Sequence, residues 1–305
     1  MVISALSGSD VFVAVAQGGT INAEGTANEP IVFTSARGNA EAGDWGGLII
    51  LGRAPINSAA NNATSTSEIG GLAYGGDIAD DNSGILRYVR VEYSGGAADA
   101  ASENNGFSFY GVGNGTTVEF IQAFEGADDG IEFFGGTVDA SYVSVVNAQD
   151  DSVDWTEGYT GSLTNVYIEH GESHDKGIEA DGNNPDIGNL SDPVFWSAPT
   201  VSNVTIIGNG SATENEAIRL RAGTRTVLSN VLIEGFEEGI EFADAETGNG
   251  VLAGETSVTD ITFSDVIVNL NNGTGVAFDE ADVITGIGNG IGAEYDTWNA
   301  GWTVE

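Results

Sequence analysis

The chain has 305 residues, with 46 Asp and Glu against 8 Lys and Arg, 45 Gly, 5 Pro and no Cys, for a formal charge of -38. That balance excludes disulfides and a nucleic-acid partner, since nucleic-acid binding is driven by Lys and Arg neutralising phosphates, and it disfavours an anionic membrane surface. A hydrophobic fraction of 41% with 13 Phe, 8 Tyr and 5 Trp is too rich for a disordered chain, so a core is expected.

In chain order, Met1-Val2-Ile3-Ser4-Ala5-Leu6 lacks the basic start of a signal peptide. The chain therefore reads either as not secreted or as a processed or trimmed form. No later run reaches the roughly 18 apolar residues of a membrane span. A long insertion is expected at about 57–80.

From Asn104 a short unit recurs at 104–109, 128–133, 150–155, 175–180, 215–220 and 237–242. Asp128-Asp129-Gly130-Ile131-Glu132-Phe133 is representative. Its small residue falls at 106, 130, 152, 177, 217 and 239, in steps of 24, 22, 25, 40 and 22. The long step marks an insertion at 182–198. Between these units lies a second strand, at 118–121, 140–145, 163–168, 201–206, 227–233 and 258–263. No window has a helical period. Two or three short strands per roughly 22 residues without helix is the signature of a parallel β-solenoid whose coils stack about 4.8 Å apart. A propeller blade needs about 40 residues, and calcium-binding nonapeptide rolls need Gly-Gly-x-Gly-x-Asp repeats that are absent.

The repeat resembles the right-handed parallel β-helix, or pectin-lyase-like, superfamily. More narrowly, Gly19-Thr20-Ile21-Asn22-Ala23-Glu24-Gly25-Thr26, Pro30-Ile31-Val32-Phe33-Thr34-Ser35 and Gly43-Asp44-Trp45-Gly46-Gly47-Leu48-Ile49-Ile50-Leu51-Gly52 are similar to a group of secreted β-helix proteins of marine bacteria. The resemblance covers nearly the whole chain. It implies an extracellular or cell-surface location and, because that group carries further N-terminal coils and a signal sequence, a trimmed start. The expected architecture is all-β: one domain over 1–305, a right-handed parallel β-helix from about 10 to 285 with coils of about 22–25 residues, and a C-terminal capping segment at 286–305. Trp298 and Trp302 are expected to cap the last coil, and the two insertions to stand out as loops, the usual place for binding.

Stacked coils turn the repeat alignment into a surface map. Alternation sends Ile131, Val153, Ile178, Ile218 and Ile240 inward with Phe133, Trp155, Ala180, Leu220 and Phe242. Glu132, Asp154, Glu179, Arg219 and Glu241 then form an outward ladder, beside columns of Asp129, Asp151, Lys176, Glu216, Glu238 and of Asp128, Asp150, Asp175, Asn215, Glu237. Carboxylates about 4.8 Å apart repel by roughly 1 kcal/mol per pair in water and by several times that at lower effective dielectric. Raised carboxylate pKa values, a neighbouring Lys176 or Arg219, or a metal can offset this. Oxygen ligands with no Cys and only two His favour Ca²⁺ over Zn²⁺ or Cu²⁺. The candidate ligands are Asp128, Asp129, Glu132, Asp150, Asp151, Asp154 and Glu179. The alternative is solvated acids at turn edges.

Lys176 is the only lysine, and His170 and His174 lie within six residues of it. The histidines also read as surface residues of a turn. Four stacked segments look like the polygalacturonase pattern: Ala127-Asp128-Asp129-Gly130, Gln149-Asp150-Asp151, Ser173-His174-Asp175-Lys176-Gly177 and Ile218-Arg219-Leu220-Arg221. By that resemblance Asp129, Asp150 and Asp151 supply an inverting acid and base, His174 and Arg219 lie beside the sugar, and Arg219 and Arg221 bind substrate. The family has Gly-His-Gly and Arg-Ile-Lys where this chain has Ser-His-Asp-Lys-Gly and Arg-Leu-Arg. An inverting pair needs carboxyls roughly 6.5 to 9.5 Å apart. A polysaccharide lyase is the other enzymatic reading, with Ca²⁺ on Glu132, Asp154 and Glu179 and Lys176 or Arg219 removing a proton.

The leading expectation is a secreted or cell-surface calcium-binding module for adhesion or glycan contact. The alternatives are a polysaccharide-degrading enzyme, lyase or inverting hydrolase, and a structural protein whose coil ends stack as homo-oligomers or filaments.

Overall fold

The computed structural model describes residues 1–305 except 60–62, 99–101, 185–192 and 214. Short strands open the chain: β1 (Val2–Ala5), β2 (Val13–Val15), β3 (Ile21–Glu24), β4 (Ile31–Ser35) and β5 (Leu48–Leu51). The first insertion carries a hairpin of β6 (Ser65–Thr66) and β7 (Ala73–Tyr74). The regular repeat follows in β8 (Gly84–Glu92), β9 (Phe107–Tyr110), β10 (Thr117–Phe124), β11 (Ile131–Phe134), β12 (Ala140–Val146) and β13 (Val153–Thr156). It continues in β14 (Ser162–Glu169), β15 (Ile178–Asp181), β16 (Thr200–Ile207), β17 (Glu216–Arg221) and β18 (Val227–Phe242). The last coils hold α1 (Ala245–Leu252), β19 (Ser257–Asn272), α2 (Glu280–Val283) and β20 (Ile284–Ile287). The two short helices have no counterpart in the sequence pattern. The first begins where the Asp244 carboxylate accepts the Thr247 N–H at 3.0 Å, a local cap rather than a periodic signal.

Every long pairing is parallel, and the fold is an all-β, right-handed parallel β-helix. One face stacks β5, β9, β11, β13, β15, β17 and the end of β18. The longer strands β8, β10, β12, β14, β16, β18 and β19 supply the other two faces, because each turns a corner at a left-handed residue, and β18 and β19 run on through a second one at Gly235 and Asp265. The first corners are Tyr88, Phe120, Tyr142, Asn165, Asn203, Asn230 and Asp260, with φ between 52° and 59°. A non-glycine residue there costs roughly 1–2 kcal/mol. Stacking offsets it: rings of Tyr88 and Phe120 lie 4.4 Å apart and those of Phe120 and Tyr142 4.2 Å apart. Further along, Asn203 donates to Asn165 at 2.9 Å and Asn230 to Asn203 at 2.8 Å, so the strained column is held coil to coil.

The inward residues read from the repeat are all in one continuous core that runs from Ala23 to Ile284. At Gly130 the small residue of the unit has a packing cause. A Cβ on Gly130 would lie 2.4 Å from Val145 Cγ1 and 2.6 Å from Ser152 O. We therefore expect Gly130→Ala to destabilise the chain by about 1–3 kcal/mol, the usual cost of overpacking. Chemical denaturation checks this, and an unchanged midpoint would contradict the packing account.

Residues 286–305 depart from expectation. Rather than closing the end of the last coil, they run back along the flank as a strap. Asn289 donates to Asp260 at 3.1 Å, Ile291 N–H to Asn230 at 2.8 Å and Ala293 N–H to Thr205 at 2.9 Å. Tyr295 stacks on Tyr167 at 3.7 Å, and Trp298 meets Tyr142 edge-on at 5.5 Å. Trp302, fully buried, wedges against both Phe120 and Tyr88 at 5.9 Å, while Gln122 binds both the N–H and the carbonyl of Val304. Arg90 donates to Trp302 O at 2.5 Å. The strap thus links β19 back to β8.

The insertion at 57–80 also folds down instead of standing clear. Ile56, Ile69 and Tyr74 form a second apolar cluster with the outward Leu51, Tyr110 and Phe134. Of the insertion at 182–198, residues 185–192 lie outside the described residues.

Candidate metal centre

The predicted ladder is formed in register: Glu132 pairs with Asp154, Asp154 with Glu179, Glu179 with Arg219 and Arg219 with Glu241. Strand alternation leaves these side chains outward on the face built by β11, β13, β15, β17 and β18. The neighbouring column is tied along the helix axis. Asp129 Oδ1 accepts the Asp151 N–H at 3.1 Å, and Asp151 Oδ1 accepts the Lys176 N–H at 2.7 Å. Each aspartate spends one oxygen on the next coil and keeps the other for something else.

Four triads result, in each of which the carboxylate oxygens approach within 4.8 Å: Asp128, Asp129 and Asp150; Asp129, Glu132 and Asp154; Asp150, Asp151 and Asp175; Asp151, Asp154 and Glu179. The first two share Asp129, the last two share Asp151, and Asp150 and Asp154 link the first two to the last two, so all seven predicted ligands lie in one connected group.

The cations are unevenly spread across it. Lys176 contacts Asp175 and lies 3.7 Å from Glu179; Arg221 holds Glu179 at 2.6 Å and Asp181 at 2.6 Å. Arg219 pairs with Glu241 at 3.0 Å and Glu216 at 3.7 Å. All three bases thus serve the later coils. Among the described residues no ion pair reaches Asp128, Asp129, Glu132, Asp150 or Asp154. Glu132 has only the Asn105 amide, at 2.6 Å, and the buried Asp154 Oδ1 accepts no hydrogen bond.

An isolated carboxylate in such a place is costly when charged. Burial, reinforced by Asp128 and Glu132, pushes Asp129 well above the carboxylate range; burial and Glu68 do so for Glu132, and burial and Glu132 for Asp154. Asp151 is also pushed well up, by burial first and Glu179 next. Asp128 rises to about 8, through burial, Glu103 and Asp150. Such groups hold protons or a cation. Their oxygens, short of donors and close together, suit a hard divalent ion of the Ca²⁺ kind.

The catalytic assignments fare differently. Asp129 and Asp150 share a triad, as do Asp150 and Asp151, so these pairs have oxygens within 4.8 Å. Each such pair therefore offers oxygens close enough for one cation to bridge. Burial pulls Lys176 down, yet Asp175, Asp151 and Glu179 hold it above its ordinary value, which keeps it charged and unsuited as a base. Arg219 is occupied by its two glutamates. His174 stacks its ring on His170 at 4.7 Å, and its Nδ1 lies 3.3 Å from Asp175 O. His170, read as a surface residue, is 5% exposed and packed edge-on against Phe236.

The structure adds residues that the repeat did not single out. Glu68 and Glu103 come from outside the repeat, and only the fold brings them near the triads. Asn105 aligns with Asp129 in the repeat, which is the signal that could have found it. Glu157, buried and also raised by burial, accepts from Ser58 at 2.5 Å and Tyr74 at 2.7 Å in the first insertion and from Asn184 at 3.4 Å near the second. Asn57 donates to Gly182 O at 2.7 Å and Phe195 O at 2.9 Å. The two insertions are therefore clasped together beside the ladder, where Arg225 lies 5.2 Å over the Trp196 ring.

A family model described as a pectate-lyase like beta helix domain matches residues 1–303. No curated protein and no solved structure matches the chain.

Proposed function

The chain belongs to the pectate-lyase-like β-helix family, and from that premise we propose that it is a calcium-dependent glycan-contact module of the cell exterior. The family supports a carbohydrate-related role in general, its members are often extracellular, and among the described residues no helix is long and apolar enough to cross a membrane. The observation that carries the calcium part is the partly buried triad of Asp129, Glu132 and Asp154, which among the described residues has no cation paired to it and has one oxygen unpartnered. Asp128 and Asp150 extend it, so that Ca²⁺ would sit on the early coils. Arg221 and Lys176 already neutralise Glu179 on the later ones. Bound Ca²⁺ would offset part of the local negative charge and offer a uronate carboxylate a cation on a surface that otherwise repels polyanions.

Titrating Ca²⁺ into chelator-treated protein tests this by calorimetry and melting. A hundredfold excess over Kd should stabilise the fold by about 2.7 kcal/mol. Asp154→Asn should abolish the effect. Retention on alginate or pectate beads should require Ca²⁺ and should proceed without release of unsaturated products or reducing ends. A midpoint unmoved by Ca²⁺ would sink the metal reading; released products would replace contact with catalysis.

A further inference from the structure

Away from the acidic ladder, a groove of about 540 Å³ lies between the strap and strands β14, β16 and β18. Its floor is apolar: outward Ile207 and Leu232, the strap's Ile291, which is 63% exposed, and the stacked Tyr167 and Tyr295 rings. Its rim carries Glu169, Glu294, Asp296 and Glu305.

The hydroxyl donors on this wall are engaged, except that of Thr205, which is only 8% exposed. Tyr167 donates to Glu169 at 2.7 Å, Tyr295 pairs with Ser144 at 3.2 Å, Thr297 donates to Glu294 O at 2.8 Å, and Thr205 accepts Ala293 N–H. What remains facing the groove is carboxylate acceptors above hydrocarbon. A sugar presents donors and acceptors together and would leave its acceptors unmet. A metal ion needs converging oxygens, and among the described residues no rim acid belongs to a group of three within ligand reach. A primary ammonium on an aliphatic stem fits both parts, because its head only donates and its stem is apolar.

We infer that this groove is a binding site for an alkylammonium group, such as a lysine side chain on a partner protein or a free aliphatic diamine. The site is separate from the acidic ladder and does not depend on the calcium reading. Its apolar floor distinguishes it from general attraction to a chain of charge -38.

The test is calorimetry on the full chain in chelator, with 1,5-diaminopentane in one arm and acetylated tetralysine amide in the other. Saturable binding at one site is expected in at least one arm. Leu232→Ser with Ile291→Ser leaves the charge unchanged and should weaken that site at least fivefold; Asp296→Asn, at an exposed position, should weaken it several-fold with the fold intact by circular dichroism. Binding of the diamine alone assigns the site to free amines, and binding of the peptide assigns it to a partner's lysines. Unsaturable binding, binding indifferent to the Leu232 and Ile291 changes, or silence in both arms overturns the inference.

Discussion

Trp302→Ala is expected to lower stability by about 3–5 kcal/mol, the range for emptying a large, fully buried aromatic site. The residue is 0% exposed and is wedged against Tyr88 and Phe120, on strands β8 and β10. A solenoid without such a tie has stability close to a sum over neighbouring coils, and its ends fray independently. The strap adds contacts between coils far apart in that order. The variant should therefore change the shape of the transition as well as its midpoint: urea unfolding, expected to be a single step in the wild type, should broaden with a lower apparent m-value. A loss below about 1 kcal/mol with an unchanged m-value would mean that the strap merely lies on the surface.

The second expected result concerns pH. The carboxyls of Asp128, Asp129, Glu132, Asp151 and Asp154 are all raised, that of Asp128 from 3.8 to about 8, with burial the largest cause in each. Between those pH values the folded chain binds more protons than the unfolded chain, so in chelator stability should fall as pH climbs from about 4 through about 8. Acids held by partners give the opposite slope. Excess Ca²⁺ should flatten the decline, because it replaces the protons, and calorimetry in buffers of different ionisation enthalpy should register proton release on binding. Asp154→Asn should raise the metal-free midpoint at pH 8 while removing the response to Ca²⁺. A metal-free stability that rises over this range would show the cluster to be solvated and unstrained.

The core and the acidic columns were legible in the sequence for the same physical reason. Parallel stacking in register converts a repeat of 22 to 25 residues into a spacing of a few ångströms, so Glu132, Asp154 and Glu179 could be aligned without knowing any other contact. What alignment cannot supply is how charges on neighbouring columns pair. Arg221 reaches diagonally to Glu179 as well as to its own neighbour Asp181, and that splits the ladder into a neutralised half and a bare half. Contacts made by non-repeating chain were equally hidden. Glu68 acts on Glu132 only because the first insertion folds down. The return of Trp298 and Trp302 to Tyr142, Phe120 and Tyr88 has no periodic trace, and from the sequence these tryptophans look like an end cap. The left-handed aromatic corners were invisible too, since Tyr88, Phe120 and Tyr142 sit inside stretches that read as uninterrupted strand.

The strap also acts as a ruler. Each of its anchors belongs to a particular coil: Asn289 to the one holding Asp260, Ala293 to Thr205, Tyr295 to Tyr167, Trp302 to Phe120 and Tyr88. Duplicating or deleting a coil is ordinarily an easy way for a solenoid to change length, because every repeat needs only its neighbours. Here one added coil between β8 and β19 would displace the far anchors by about 4.8 Å relative to the near ones. Half of the strap would then lose its seats. A chain that measures itself in this way can vary its loops freely, but its number of coils between Tyr88 and Asp260 is fixed.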